Sequence, residues 1–286
     1  ILLHVASPLF ADRTVNTLEC NQYNGDRQTL YQEALATAKE VIGSGTYSLV
    51  DCNGSTNDEI ADKFHKTIIS NNSEMIWAKQ FINIDKNENN TDINNIRNRA
   101  ALLHGPNGYH NWAGTTPTHD LVMDFEMEDG SLPQTLLKAG DKTTDNPYAN
   151  REPRFYASIG FSGCFWPCAS TSEAVKKNVY VYYWKGASGY GASGKDKAVG
   201  SGDANNYPVT GYVMKKYVHN DDAWSGTDAT VLPKSFPIIR YAEILLSYVE
   251  ALNNLTGSHT VTFSDESTGT YTRDMNEMAK YFNMVR

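Results

Sequence analysis

Apolar side chains recur at every third or fourth position in three stretches of the chain, which is the spacing of one buried face of an α-helix. Residues 30–42 form the first stretch, and two glycines directly after it favour a helix end. Residues 238–255 form the most regular stretch, and residues 274–285 are expected to pack back on it. Residues 1–11 are interpreted as the tail of a further helix. The pattern therefore predicts helices at both ends of the chain.

The long stretch between these helices, residues 51–234, has short alternating or aromatic runs separated by Gly, Pro, Asn and Asp. Such runs, bounded by turn residues, are typical of short β-strands. Two polar segments, residues 83–98 and 187–206, are rich in Asn or Gly and are predicted to be loops, either ligand-binding or disordered. The predicted strands are residues 75–81, 155–161, 179–184 and 211–217.

The composition is that of an ordinary globular protein with many aromatic residues. Of the 286 residues, 40% are hydrophobic and 20% are charged, and the net charge is −8. An acidic chain is a poor match for nucleic acid or for an acidic membrane surface, so neither is expected as a partner. The apolar opening run, residues 1–11, is too short to cross a bilayer. Seventeen Tyr and five Trp residues supply flat apolar rings with polar edges.

No spacing typical of an active site, a metal site or a nucleotide site stands out in the sequence. His104, His110 and His119 do not have the spacing of metal ligands on one helix face. The acids between Asp124 and Asp129 precede a glycine and are interpreted as a solvated edge, and glycosidase acids cannot be recognised by spacing alone. Neither a phosphate-binding glycine loop nor a dinucleotide fingerprint is present. We therefore expect no catalysis, no metal and no cofactor.

Four cysteines, Cys20, Cys52, Cys164 and Cys168, allow three pairings if all of them pair. The three residues between Cys164 and Cys168 fit neither a zinc knuckle nor a redox pair with two residues between its cysteines. A local Cys164–Cys168 disulfide would display an aromatic pair on a tight loop. Free thiols are the other interpretation, and the sequence leaves both open.

Aromatic residues are concentrated in the segments assigned to loops and short strands. Rings in Gly- and Pro-rich loops are less easily explained by core packing than rings on a helix stripe. Flat rings that cover the apolar face of a pyranose, with amides and charged groups around the rim for the hydroxyls, suit a neutral sugar. Each ring is also compatible with ordinary packing in the core. The candidate carbohydrate-binding residues are Tyr109, Asn111, Trp112, Trp166, Trp184, Tyr190 and Trp224.

Charged residues in two other segments are interpreted as scaffold. In residues 150–154, two guanidinium groups flank a carboxylate and a proline, which suits pinning a loop to helices through bidentate contacts. The alternative is that Arg151 or Arg154 binds ligand. Arg240 and Glu243 are spaced to pair, either as a solvated ion pair or within a partly buried network between helices. The predicted structural residues are Asn150, Arg151, Arg154, Arg240, Glu243 and Glu250.

Four segments, in order along the chain, resemble one known family. Residues 116–125 are followed by the Asp-Gly pair at 129–130, and residues 146–155 contain the run Asn-Arg-Glu-Pro-Arg-Phe. Residues 236–252, FPIIRYAEILLSYVEAL, are similar to a characteristic helix of the family, and residues 283–286 resemble the start of its closing element. The family is the SusD/RagB group of outer-membrane nutrient-binding lipoproteins.

The resemblance implies a mainly α fold. Tetratricopeptide-like helix pairs, the α-α superhelix of SusD-like proteins, would carry a loop-rich subdomain with short β-strands. The domains expected on this basis are a helical segment over residues 1–50, a ligand-binding region over residues 51–234 and a C-terminal helix pair over residues 235–286. The family's lipidated N-terminal cysteine and N-terminal half are not seen, so the chain is expected to be a C-terminal part.

The resemblance also implies a function and a location. The expected protein sits on the outer membrane at the cell surface of a Bacteroidetes-type bacterium, held by a lipid anchor. It captures oligosaccharide or polysaccharide by aromatic stacking and passes it to a SusC-like TonB-dependent transporter without altering it. The alternatives are a peptide-binding member of the same family, a helical-repeat interaction module without direct ligand contact, and a glycoside hydrolase.

Overall fold

The computed structural model describes residues 1–11, 23–81, 103–106, 111–133, 146–164, 166, 208–219, 222 and 231–286. The chain divides into two compact units. Unit 1 comprises Ile1–Val50, Asn72–Trp77 and Ile238–Arg286, and unit 2 comprises Asp51–Asn71 and Ala78–Pro237. The predicted strand at residues 179–184 and both predicted polar loops lie outside the described residues.

The described helices and strands are mostly short. In chain order, the helices are α1 (Leu2–Ala6), α2 (Pro8–Ala11), α3 (Arg27–Gly43), α4 (Asn57–Ile69), α5 (His119–Asp124), α6 (Pro153–Ser158), α7 (Tyr241–Asn253) and α8 (Met275–Val285). The strands are β1 (Met75–Phe81), β2 (Ile159–Gly160), β3 (Val213–Met214), β4 (Lys234–Arg240), β5 (His259–Thr262) and β6 (Thr268–Tyr271). The protein is therefore helical and rich in loops, with a few short strands.

Unit 1 has its core between α3, α7 and α8. Leu35 of α3 and Leu245 and Leu252 of α7 are fully buried, and α8 adds Met278 and Tyr281. Burial of whole aliphatic and aromatic side chains is the main stabilising contribution to such a helical stack.

The helices predicted at the two ends of the chain are confirmed with changed limits. The helix predicted at residues 30–42 extends over Arg27–Gly43, because the Asp26 carboxylate caps it by accepting a hydrogen bond from the Gln28 N–H. The helix predicted at residues 274–285 is α8. The helix predicted at residues 238–255 begins only at Tyr241, because the residues before it pair as β4 with β1. Residues 1–11 form the two short helices α1 and α2.

The hairpin of β5 and β6 was not predicted. Its antiparallel register runs from His259 opposite Tyr271 to Thr262 opposite Thr268. The strands are rich in Thr and Gly, so they have little apolar alternation, and only Val261 is buried in the helical core. The strand predicted at residues 75–81 is confirmed as β1.

Unit 2 contains a helix where the sequence analysis expected only short runs. This helix, α4, begins after Thr56, whose hydroxyl accepts a hydrogen bond from the Glu59 N–H. It buries Ala61 and Ile68 on the face that packs against α6. The buried residues of this helix include the polar His65 and Thr67, which is why the period was overlooked.

The strand predicted at residues 155–161 is wrong over most of its length. Pro153 stands at the start of α6, where the lack of an N–H costs nothing, and the helix continues to Ser158. The aromatic run suggested a strand, but Phe155 packs inside a cluster of rings when the segment is helical. Only Ile159 and Gly160 pair as a strand, opposite Met214 and Val213.

The strand predicted at residues 211–217 is correspondingly reduced to β3. At Gly160, a Cβ atom would clash with Val213 and would lie 3.2 Å from the Trp166 ring. The close approach of β2 to β3 therefore requires a glycine at this position.

Candidate ligand-binding site

Arg151 holds two segments of unit 2 together from the inside. Only 1% of the residue is exposed, and its Nη2 donates hydrogen bonds to the carbonyls of Val122 and Phe125, the latter at 2.8 Å. The guanidinium carbon lies 4.5 Å from the centre of the Phe155 ring. Burial lowers the pKa of Arg151 from its ordinary value. The side chain spans the end of α5 and the start of α6, which supports a scaffold role.

The residues on either side of Arg151 complete this anchor. Asn150 has a left-handed backbone with φ 55°, a conformation that Asn tolerates better than most residues. The Glu152 carboxylate accepts a hydrogen bond from the Glu126 N–H at 3.1 Å and pairs with Arg154 at 2.5 Å. Arg154 is 38% exposed, so its ion pair lies at the surface.

The other predicted structural residues belong to unit 1. Arg240 pairs with Glu74, its Nη1 lying 3.0 Å from Oε2, and Glu74 also accepts a hydrogen bond from the Val50 N–H. The partner of Arg240 is therefore Glu74 and not Glu243, as the helical spacing suggested. Glu243 and Glu250 are exposed on α7.

A cleft of about 560 Å³ opens in unit 2 beside α4, and we call it the tyrosine cleft. The Tyr156 hydroxyl donates a hydrogen bond to the Tyr148 carbonyl at 2.7 Å and accepts one from the Arg151 N–H at 3.2 Å. The rings of Tyr148 and Phe161 lie 4.5 Å apart between centres. The aromatic wall is therefore held rigidly. The lining residues are Asp58, Ala61, Asp62, His65, Asn146, Tyr148, Ala149, Tyr156, Phe161, Gly163, Cys164 and Lys215.

Polar groups face the same cleft from α4 and from the turn after β3. Asp58, Asp62 and His65 recur at steps of four and three residues, which places them on one side of α4. His65 is buried, and its Nε2 lies 3.1 Å from the Lys215 carbonyl. Burial, reinforced by the charge of Lys215, lowers the pKa of His65 to about 4, so the ring is neutral at physiological pH. The Lys215 ammonium donates a hydrogen bond to the Tyr156 carbonyl at 3.2 Å.

Trp112 is held outward from a rigid backbone. It is 45% exposed, whereas its neighbours Asn111 and Ala113 are buried, so the prediction that Asn111 presents its amide to a ligand is corrected. The Ala113 N–H donates to the Gly105 carbonyl at 3.0 Å, and Ala113 packs into a small core with φ 47°. The Thr115 N–H repeats this pairing at the Leu103 carbonyl. An exposed ring on such a support is a suitable platform for a sugar.

Trp166 does not have the exposure that the sequence analysis expected. Its exposed fraction is 0%, and it packs with Ala113, Val213 and Val218. The expectation that this ring contacts a ligand is corrected, because no part of it reaches solvent. Its position between Cys164 and Cys168, next to a proline, suggested a displayed loop. Its burial depends on β3, which is nearly fifty residues away in sequence.

The remaining predicted site residues are not placed. Tyr109, Trp184, Tyr190, Trp224 and Cys168 lie outside the described residues. Cys164 lines the tyrosine cleft, and its sulfur accepts a hydrogen bond from the Phe161 N–H at 3.3 Å. The Cys164–Cys168 disulfide stays a prediction.

The sequence analysis missed several residues that reach the surface or the tyrosine cleft. Trp77 is 60% exposed on β1, although it stands in a run that was predicted correctly as a strand. Tyr148 and Tyr156 flank the segment interpreted as scaffold, residues 150–154, and neither was among the predicted ligand-binding residues. The Tyr-rich character of residues 146–156 was the available signal.

A second cleft of about 560 Å³ in unit 2 shares no lining residue with the first. Leu121, Phe125, Ile159 and Tyr217 give it a mostly apolar lining, with the Glu152–Arg154 pair at its edge. We call it the apolar cleft.

Neither a metal-binding cluster nor a membrane-spanning helix occurs among the described residues. No group of three or more His, Cys, Asp or Glu residues arranged to hold a metal ion occurs among them. None of the helices described has both the length and the apolar character that crossing a bilayer requires.

Comparison with known families matches residues 73–286 to the SusD family model. The chain belongs to the SusD family. A search of curated proteins found no significant match. This SusD-family chain is similar in structure to a SusD-like protein from Bacteroides fragilis NCTC 9343, with a TM-score of 0.58 and 23% identity over 90% of this chain and 44% of that one.

A second similar structure is a SusD-like carbohydrate binding protein from Bacteroides fragilis NCTC 9343. The TM-score is 0.50 and the identity 16%, over 94% of this chain and 45% of that protein. At sequence identities this low, the structural similarity to these two proteins shows a shared fold alone. The SusD-family chain spans somewhat less than half the length of these two relatives.

Proposed function

We propose that this SusD-family protein is a glycan-binding protein of the bacterial cell surface that captures oligosaccharides by aromatic stacking and does not cleave them. In this proposal the protein is attached to the outer membrane by a lipid anchor. It passes the glycan to a SusC-like TonB-dependent transporter, and its helical unit belongs to a tetratricopeptide-like superhelix.

The observation that carries the proposal is the exposed ring of Trp112. The backbone after the ring is fixed by the hydrogen bonds of Ala113 and Thr115, and Asn111 and Ala113 on either side are buried, so little conformational entropy is lost when a ligand stacks on the ring. A single aromatic contact contributes on the order of 1 kcal/mol. Binding that depends on a few such contacts is expected in the micromolar to millimolar range.

Membership of the SusD family supports this proposal, as does structural similarity to a SusD-like carbohydrate binding protein. The tyrosine cleft adds a rigid aromatic wall with amide, carboxylate and ammonium groups around it. Such groups accept hydrogen bonds from sugar hydroxyls or donate hydrogen bonds to them.

The test is calorimetry of the protein against starch, mannan, xylan and host-type glycans, beside a peptide mixture. For a glycan that binds, Trp112→Ala should weaken affinity about tenfold, the equivalent of one stacking contact of roughly 1.4 kcal/mol. Trp77→Ala is the matched control, since it removes an even more exposed indole from unit 1. The Trp77→Ala variant should bind the glycan with the affinity of the unmodified protein. The melting temperature of each variant should lie within a few degrees of that of the unmodified protein.

Peptide binding without any glycan response would replace the proposal by the peptide-binding alternative. No response to either class would favour a helical-repeat interaction module. Release of reducing sugar from a bound polymer would show that the protein is an enzyme.

A further inference from the structure

The tyrosine cleft combines aromatic rings with carboxylates, and this combination recognises more than a neutral sugar. Its volume of about 560 Å³ lies within the range of small-ligand sites, which is roughly 300–1,000 Å³. Tyr156 and Phe161 are partly exposed, and Tyr148 packs against Phe161 from behind. The wall thus offers ring surface that does not need to be ordered on binding.

Two carboxylates stand on the α4 side of this wall, one helical turn apart. Asp58 and Asp62 are both exposed and both line the cleft. Asp62 pairs with Lys66 at 2.6 Å, but both side chains are more than half exposed, and a surface pair of this kind is easily exchanged for another partner. Glu128, hydrogen-bonded to Asn57, adds a third negative charge near Tyr156.

Among the described residues, the positive groups at the cleft offset these negative charges only in part. His65 is buried and neutral at physiological pH. Lys215 is partly buried, and its ammonium is directed to the Tyr156 carbonyl. Among the described lining residues, two carboxylates therefore face one ammonium, and both carboxylates are exposed to solvent.

An ammonium group next to a ring face and a carboxylate is attracted by both, through the quadrupole of the ring and the opposite charge. A sugar hydroxyl or an N-acetyl group in the same place gains only a neutral hydrogen bond. We infer that the tyrosine cleft is a binding site for an amine-bearing sugar, a hexosamine unit with a free amino group. This inference deepens the proposed function and rests on it. The tyrosine cleft does not include Trp112, so the two sites can be tested with separate variants.

The test compares two trisaccharides that differ only at nitrogen. These are the glucosamine trisaccharide and its fully N-acetylated form, each titrated calorimetrically into the full chain at pH 6 and low salt. The amine form should bind about five- to tenfold more tightly, and the ratio should shrink as ionic strength rises. Asp58→Asn with Asp62→Asn should bring the two affinities within about twofold of each other.

The matched control is Glu243→Gln with Glu250→Gln, which removes the same two charges from exposed positions on α7 of unit 1. The amine preference should be unchanged in this variant, so a general effect of net charge is separated from a local one. Thermal unfolding of both variants checks that α4 remains folded.

The inference is overturned if both trisaccharides bind equally well, or if the preference survives in the Asp58 and Asp62 variant. It is also overturned if trilysine displaces the amine trisaccharide at lower concentration than the sugar itself requires, because the cleft would then select basic peptides. Failure of the proposed function has a different signature. In that case no neutral glycan binds and Trp112→Ala has no effect, whatever the amine preference.

Discussion

Replacing Arg151 with methionine removes a buried guanidinium and keeps most of the aliphatic stem. Two carbonyls, those of Val122 and Phe125, then lose their charged donor, and the hydrogen bond to Val122 is buried while that to Phe125 is partly buried. Hydrogen bonds to a charged group contribute about 1.5–3 kcal/mol each, and relief of the buried charge offsets part of the loss. We expect Arg151→Met to lower the free energy of unfolding by about 3–5 kcal/mol.

Arg154→Met is the matched comparison, since it makes the same chemical change three residues further on. Its ion pair with Glu152 is 38% exposed on the arginine side, so a loss of about 0–1 kcal/mol is expected. Urea unfolding followed by tryptophan fluorescence measures both variants, with far-UV circular dichroism as a second probe because the chain has two units. Equal losses for the two variants, or a loss below about 1 kcal/mol for Arg151→Met, would refute the reasoning from burial.

Two further predictions concern buried ionisable side chains in unit 2. The pKa of His65 is lowered from 6.5 to about 4, mainly by burial, so the unfolded chain takes up a proton between these values that the folded chain does not. The free energy of unfolding should therefore fall by up to about 3 kcal/mol as pH decreases from 6.5 to 4, and urea titrations should show a smaller fall in His65→Gln. Lys234 and Asp222 form an ion pair at 2.7 Å with side chains 1% and 0% exposed. Lys234→Met should cost about 3–5 kcal/mol in chemical denaturation, whereas Lys66→Met, at an exposed pair, should cost under about 1 kcal/mol, and similar losses would contradict the distinction.

Long periodic segments were predictable because their signal is local. The stripe of α3, the stripe of α8 and the alternation of β1 are properties of neighbouring residues, and the structure contains all three. The hairpin of β5 and β6 was missed since its strands are short and polar, and α4 was missed since its buried residues include the polar His65 and Thr67. The family resemblance came from the same local runs, and the SusD family model matches residues 73–286.

The helices at both ends of the chain, the family and the aromatic character of the middle were evident from the order of the residues alone. Packing between distant segments set the exposure of each ring: Trp112 is 45% exposed, whereas Trp166 is buried against Val213 and Val218. It likewise gave Arg240 a partner at Glu74, and it made residues 153–158 a helix around a buried Phe155. The physical reason is that burial and charge pairing depend on residues far apart in sequence, whereas helical periodicity depends only on residues three or four positions apart.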